Sequence, residues 1–273
     1  MRNKLRIATM AGAAGLFVLA ALPAAAQTAP YRAPRMADNH PNLNGIWQAL
    51  NTANWDLRGH AAGMGRVVAL GSEDAEAPGL GVIDGADDIP YLPAAKAKKD
   101  QNYANRLKDD PEVKCYLPGV PRATYMPYPF QVVQSTKTIM FSYEYAGAVR
   151  VINMDKPTKS PTDSWMGWSN GHWDGDTLVI DVTGFNEDSW LDRVGDYHSD
   201  ALHVVERYTP RSPETMNYEA TIEDKNVFAR PWKISMPLYR HVEKNAQLLE
   251  FKCVEFVEEL LYGPLRKQPR ANP

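Results

Sequence analysis

From residue 130 onward, short runs of β-branched and aromatic side chains alternate with polar ones, and turn-forming residues cut the runs apart. The runs cover 130–134, 138–144, 149–154, 168–173, 177–183, 202–208, 216–223, 232–236 and 248–256. Ala146 with Gly147, the Asp174, Gly175, Asp176 triplet, Thr209 with Pro210, and Glu223 with Asp224 supply the breaks. A period of two with frequent turns predicts half-buried strands joined as hairpins, not a parallel α/β sheet. Strands at this spacing suit an antiparallel barrel or sandwich, and sequential hairpins suit an up-and-down barrel of about eight to ten strands.

Upstream the pattern is weaker. Residues 31–42 are proline-rich and read as an extended lead-in, after which Gly45, Ile46 and Trp47 begin a short apolar strand. Residues 59–90 are rich in glycine and aspartate and read as an irregular loop. Their glycines lack the Gly-Lys-Ser/Thr ending of a phosphate loop. Pro93 opens a helix running to about Leu107, and Asp109, Asp110 and Pro111 end it. The expected fold class is therefore all-β: an antiparallel up-and-down barrel, calycin- or lipocalin-like, with an N-terminal loop region and one short helix. Residues 27–273 form a single domain, with 27–125 as lead-in and 126–262 as the main strands.

The first 26 residues carry a different pattern. Arg2, Lys4 and Arg6 precede an apolar run from Ala8 to Leu22, and Ala24, Ala25 and Ala26 stand before Gln27. A basic head, a short apolar stretch and small residues form a secretory signal, and the run is short for a membrane span. The expected location is periplasmic or secreted, with no membrane insertion after cleavage. Removing three basic residues takes the formal charge from −3 to −6. A mildly acidic chain without a basic stripe is poorly suited to nucleic acid. Cys115 and Cys253 are the two cysteines, and in an oxidising compartment such a pair forms one disulfide.

The richest stretch for chemistry lies between residues 165 and 185. Trp165, Trp168 and Trp173, three of the seven tryptophans, sit there with His172 beside the Asp174–Asp176 turn. Flat apolar side chains beside titratable ones are what a pocket for an aromatic or otherwise hydrophobic molecule needs. A β-core with a polar rim contains the same residue types. The hairpin around Ala146 and Gly147 places Tyr143 opposite Arg150, a planar fork with one hydroxyl donor, which suits a carboxylate. The alternative is a cross-strand packing pair.

In the run 202–208, His203, Val205 and Arg207 share one face, while Leu202, Val204, Glu206 and Tyr208 share the other. Either face could line a lumen. One offers His203 beside Arg207 as an anion holder, the other Glu206 among apolar residues as a general acid. Asp192, Arg193 and His198 complete the polar clusters. A continuous strand would set His198 and His203 on opposite faces roughly 17 Å apart. With no His-x-His or His-Glu-x-x-His spacing, no metal site is expected. No Gly-x-Ser-x-Gly elbow and no dinucleotide fingerprint is present, so no cofactor is expected.

Several motifs together resemble a large family of secreted bacterial proteins of uncharacterised function. They are residues 42–47 (NLNGIW), 89–93 (IPYLP), 115–122 (CYLPGVPR), 126–130 (MPYPF), 173–178 (WDGDTL) and 203–208 (HVVERY). The resemblance implies a single β-rich domain and no particular substrate. Usual members carry a glycine–asparagine extension after the last cysteine, where this chain reads VEFVEE at 254–259. The Gly45-x-Trp47 pair also resembles the first strand of lipocalins, where the tryptophan plugs the barrel floor.

The residues thus point to a secreted barrel acting on a small aromatic or terpenoid molecule, as a cofactor-independent lyase or isomerase working by acid–base catalysis. Decarboxylases of phenolic acids use similar barrels with tyrosine, arginine and glutamate inside, a likeness of fold only. Arg150 and Tyr143 would hold a carboxylate, and Glu206, His203 or His172 would move a proton. Trp165, Trp168, Trp173, Arg193, His198 and Arg207 would bind substrate. A non-catalytic, lipocalin-like carrier is the alternative, and a filled barrel serving as an interaction module is a third possibility.

Overall fold

In the computed structural model the described residues are 31–65, 75–85 and 88–251. Nine strands close into a barrel: β1 (Gly45–Ala49), β4 (Phe130–Gln134), β5 (Thr138–Tyr143), β6 (Val149–Asn153), β7 (Trp168–Asp174), β8 (Thr177–Thr183), β9 (His203–Pro210), β10 (Thr215–Glu223) and β11 (Trp232–Arg240). A separate two-stranded ribbon, β2 (Gly59–His60) with β3 (Gly79–Leu80), lies in the glycine-rich stretch expected to be irregular. β4 to β11 follow one another as neighbours, and β1 closes the ring between β11 and β4.

The period-two pattern explains the barrel directly. Along β10, Met216, Tyr218, Ala220 and Ile222 are buried while the residues between them are half-buried. β9 turns Val204, Glu206 and Tyr208 inward, and β11 turns Trp232, Ile234, Met236 and Leu238 inward. An odd number of strands cannot alternate direction all the way around a closed ring. One neighbouring pair must be parallel, and it is β6 with β7, where Ile152 lies beside Ser169. A parallel step has to return the chain to the starting end, and the long 154–167 connection does so.

The two ends of the barrel differ. One carries the lead-in and the tight turns, with Trp47 buried beneath. The lead-in is pinned to the β7–β8 turn by the paired Arg35–Asp176 contacts of 2.6 and 2.8 Å. The other end is covered by a layer of loops that includes α2 (Arg122–Tyr125), all four of whose residues are buried. The long helix α1 (Pro93–Asp109) starts on its proline as the sequence predicts, and only Ala95 is buried along it.

Three expectations need correction or placement. Arg150 pairs with Phe141, and Val149 with Ser142, so Tyr143 is not opposite Arg150. The turn is wider than a two-residue hairpin because Tyr145–Gly147 forms a 3-10 turn. The register therefore moves by two, which keeps Tyr143 and Arg150 on the same inner face. Residues 248–251 form no strand, and the last barrel strand ends at Arg240. The rest of the expected strand 248–256 lies outside the described residues, as do the signal segment 1–26 and Cys253.

Candidate functional site

The inward side chains of β5, β6, β7, β9 and β10 place a polar cluster in an otherwise apolar core. Arg150 donates through Nη2 to Glu206 Oε2, and both side chains are fully buried. Arg150 Nε donates to Ser169 Oγ at 2.8 Å. The hydroxyls of Tyr208 and Tyr218 each donate to Glu206 Oε1 at 2.9 Å, and Thr124 Oγ1 of α2 lies 3.3 Å from the Tyr208 hydroxyl. Phe141 packs against Tyr208, and Arg150 lies over the Phe141 ring at 5.8 Å.

Two polar atoms in this cluster are buried without a well-aligned hydrogen bond: Arg150 Nη1 and Tyr143 Oη, the latter within reach of Arg150 and Thr124. They belong to adjacent strands on one inner face, diagonal to each other across the β5–β6 pair. The guanidinium can only donate and the hydroxyl can donate or accept, so both could turn a donor towards a carboxylate oxygen placed beside them. Burial disfavours the charge of Arg150, and the Glu206 carboxylate with Tyr143 and Tyr208 outweighs it, so the guanidinium is held firmly protonated. Burial pushes the Tyr143 hydroxyl up against the pull of the Arg150 charge. Burial and then the Glu206 charge push Tyr208 and Tyr218 well above ordinary phenols. Glu206 is thus ringed by three donors and does not stand among apolar groups alone.

The inner face of β9 is the one bearing Glu206, so His203 and Arg207 point outward. His203 pairs with Asp181 at 2.8 Å and lies 3.5 Å from Glu223, while Arg207 pairs with Asp174 at 2.8 Å. His172 is exposed. Trp173 stacks on His40 of the lead-in at 4.8 Å, and Trp168 donates to Thr158 on the outer side. Trp165 packs against Tyr116 in the loop layer. Of the residues singled out in the sequence, the barrel core brings together Tyr143, Arg150 and Glu206, and it does not bring the tryptophans to them.

Arg193 and His198 sit in the loop layer instead. Arg193 holds Glu112 through two nitrogens, 2.7 and 2.5 Å, and lies over the Trp55 ring at 3.7 Å. Arg122 joins the same group by bonding Asn54, Asp110 and Glu112. His198 Nδ1 faces the Ser199 carbonyl at 2.9 Å, so Nε2 accepts from Ser189 Oγ at 2.7 Å. Burial pushes the His198 imidazole below its ordinary value. Asn54, Glu112 and Ser189 do not stand out in the sequence, and Asp110 and Arg122 do so only as a helix terminator and the end of the 115–122 motif, because no periodic pattern places these segments.

Asp56, Asp192 and Asp196 gather in this layer with their nearest oxygens all within 4.8 Å, a grouping that could hold a cation. Arg58 already supplies positive charge there, bonding Asp196 at 2.6 Å, and the Tyr91 hydroxyl donates to the same carboxylate at 2.8 Å. Burial and the neighbouring Asp196 charge push Asp192 well above an ordinary carboxyl. Burial opposes the charge of Asp196, but its bonds to Asp192 and Arg58 outweigh that and hold it ionised. Two carboxyls sharing one dry site push each other's titration apart, with Asp192 the one raised.

Comparison with known proteins gives no matching family model and no matching curated protein.

Proposed function

We propose that this protein is a small-molecule enzyme of the barrel interior, a cofactor-independent lyase that removes carbon dioxide from an aromatic carboxylic acid. One observation carries the reading: Tyr143 Oη and Arg150 Nη1, two buried polar atoms without a well-aligned hydrogen bond, stand beside an Arg–Glu–Tyr–Tyr network in a core of aromatic rings. Leaving such groups unsatisfied costs about 1–3 kcal/mol each, a cost that a bound carboxylate would offset. Arg150 and Tyr143 hold the carboxylate. Cleavage of the bond to the carboxyl carbon releases CO2 and leaves an electron pair on the substrate carbon, where a proton forms the new C–H bond. The Tyr208–Glu206–Tyr218 set delivers that proton and is reprotonated when the core opens to water on product release.

Incubation of the purified protein with a panel of ring-bearing carboxylic acids, read by mass spectrometry, tests the proposal. Product lacking CO2 is expected, with its rate reduced by orders of magnitude on replacing Arg150 or Glu206. A lipocalin-like carrier is the second reading, favoured by the three donors that already occupy Glu206. A carrier would return every acid unchanged.

Export to the periplasm or beyond belongs to the same proposal, supported by the pattern of residues 1–26. So does the disulfide from Cys115, which is not a free thiol, to Cys253. Mass spectrometry without reductant should show the peptides of both cysteines joined.

A further inference from the structure

Arg240 ends β11 at the barrel end opposite the loop layer, and it forms no ion pair among the described residues. Its guanidinium lies 4.3 Å over the Trp47 ring. Nη1 donates to the Asn44 carbonyl at 2.6 Å and Nε to the Pro213 carbonyl at 3.0 Å. The site depends on Gly45, whose φ is +143°, because a Cβ at that position would collide with Arg240 Nη1. Gly45 and Trp47 are therefore spaced so that the arginine reaches over the indole. Burial pushes the Arg240 guanidinium below its ordinary value, as expected of a cation taken from water without a counter-charge.

A cavity of about 160 Å³ opens beside this stack, walled by Tyr31, Pro34 and Pro213 and by the polar Asn42, Asn44 and Ser212. An apolar cavity of about 150 Å³ accommodates a benzene ring. The walls combine flat apolar groups from the lead-in and the β9–β10 turn with amide and hydroxyl groups, and the one charged side chain in the lining is the Arg240 guanidinium. Cation, size and lining fit one chemistry. We propose that this cavity is a second ligand site, separate from the barrel core, for a monocyclic aromatic carboxylate whose ring lies among the prolines and whose carboxylate meets Arg240.

The test is a fluorine NMR titration of 4-fluorobenzoate into the whole protein, its Arg240→Gln and Pro34→Trp variants, and Tyr143→Phe. Pro34→Trp fills the cavity from the lead-in and leaves Arg240 intact, which covers the case in which Arg240→Gln fails to fold. Binding is expected to weaken about tenfold or more in each of these two variants, through loss of one charge-assisted contact in Arg240→Gln and of the space for the ring in Pro34→Trp. It is expected to persist in Tyr143→Phe, which alters only the core. The neutral 4-fluorobenzyl alcohol should bind at least about tenfold more weakly than the acid. No binding to the unaltered protein, equal binding in the folded Arg240 and Pro34 variants, loss in Tyr143→Phe, or an alcohol as tight as the acid would each overturn the proposal. Failure here leaves the core's chemistry untouched, since turnover of a carboxylic acid is read separately.

Discussion

Arg150 on β6 and Glu206 on β9 meet inside the barrel with two strands between them in the wall, guanidinium against carboxylate, both shut off from solvent. A buried pair of this kind is weak evidence for added stability, because desolvation offsets much of the attraction. Breaking it is another matter. Arg150→Met or Glu206→Leu alone leaves a buried charge unpaired and should cost about 3–5 kcal/mol. The double variant should recover much of that loss. Urea unfolding of the four proteins checks this, and strictly additive losses would show that the two side chains do not act as a pair.

Tyr143→Phe separates a structural hydroxyl from a functional one. Tyr143 Oη is buried without a well-aligned hydrogen bond, so its removal should change stability by no more than about 1 kcal/mol. The same change should lower turnover of an aromatic acid at least about tenfold, the loss of one donor to the carboxylate. A drop in the unfolding midpoint would mean that the hydroxyl serves the fold.

The strands were legible because alternation shows directly in residues such as Met216, Tyr218, Ala220 and Ile222. Arg150 and Glu206 were legible as inward candidates for the same reason, although the choice of face on β9 required the fold. The register of the β5–β6 turn was not legible, since a 3-10 turn at Tyr145–Gly147 and a two-residue hairpin share the same turn residues. The tryptophans were over-read. Trp168 falls on the outer face of β7 beside Thr158, whereas Trp173 shares the face of Ser169 but sits at the strand's end, where it stacks on His40, and neither contact has a local signal. The loop layer was invisible for a related reason: Arg122, Glu112 and Arg193 meet only through tertiary structure.

The two aspartates of the loop layer should respond differently to neutralisation. Asp192 is the raised member of the pair, so Asp192→Asn should cost the less, about 1 kcal/mol for the loss of one backbone contact. Asp196→Asn strips Arg58 of its buried carboxylate and should cost about 3 kcal/mol or more. The signs under acid are opposite as well. The raised Asp192 favours the folded state increasingly as pH falls through its raised value towards 3.8, whereas the lowered Asp196 supplies stability above 3.8 that disappears as pH drops through its own value. Equal costs for the two variants would contradict the opposite shifts of the two carboxyls.

His198 gives a third pH signature. Its folded value lies below the ordinary 6.5, so above that pH neither state is protonated and the residue contributes no slope. As pH falls below 6.5 the unfolded chain takes up a proton that the folded protein refuses, and stability declines by up to about 1.4 kcal/mol per pH unit. The difference between the parent and His198→Gln in unfolding free energy, followed from pH 8 to pH 5, should show that decline in the parent alone. Parallel curves would place a charged imidazole in the fold.

The claim at the centre is that the barrel core takes a carboxylate at Tyr143 and Arg150 and releases it as CO2. Incubation with a hydroxycinnamic acid labelled at the carboxyl carbon, with the label followed by NMR, addresses that claim most directly. Label should pass from the acid into dissolved CO2 and bicarbonate with the parent protein, and much more slowly with Tyr143→Phe. Label that stays in the acid across the whole panel of ring-bearing acids, or leaves equally fast with both proteins, contradicts it.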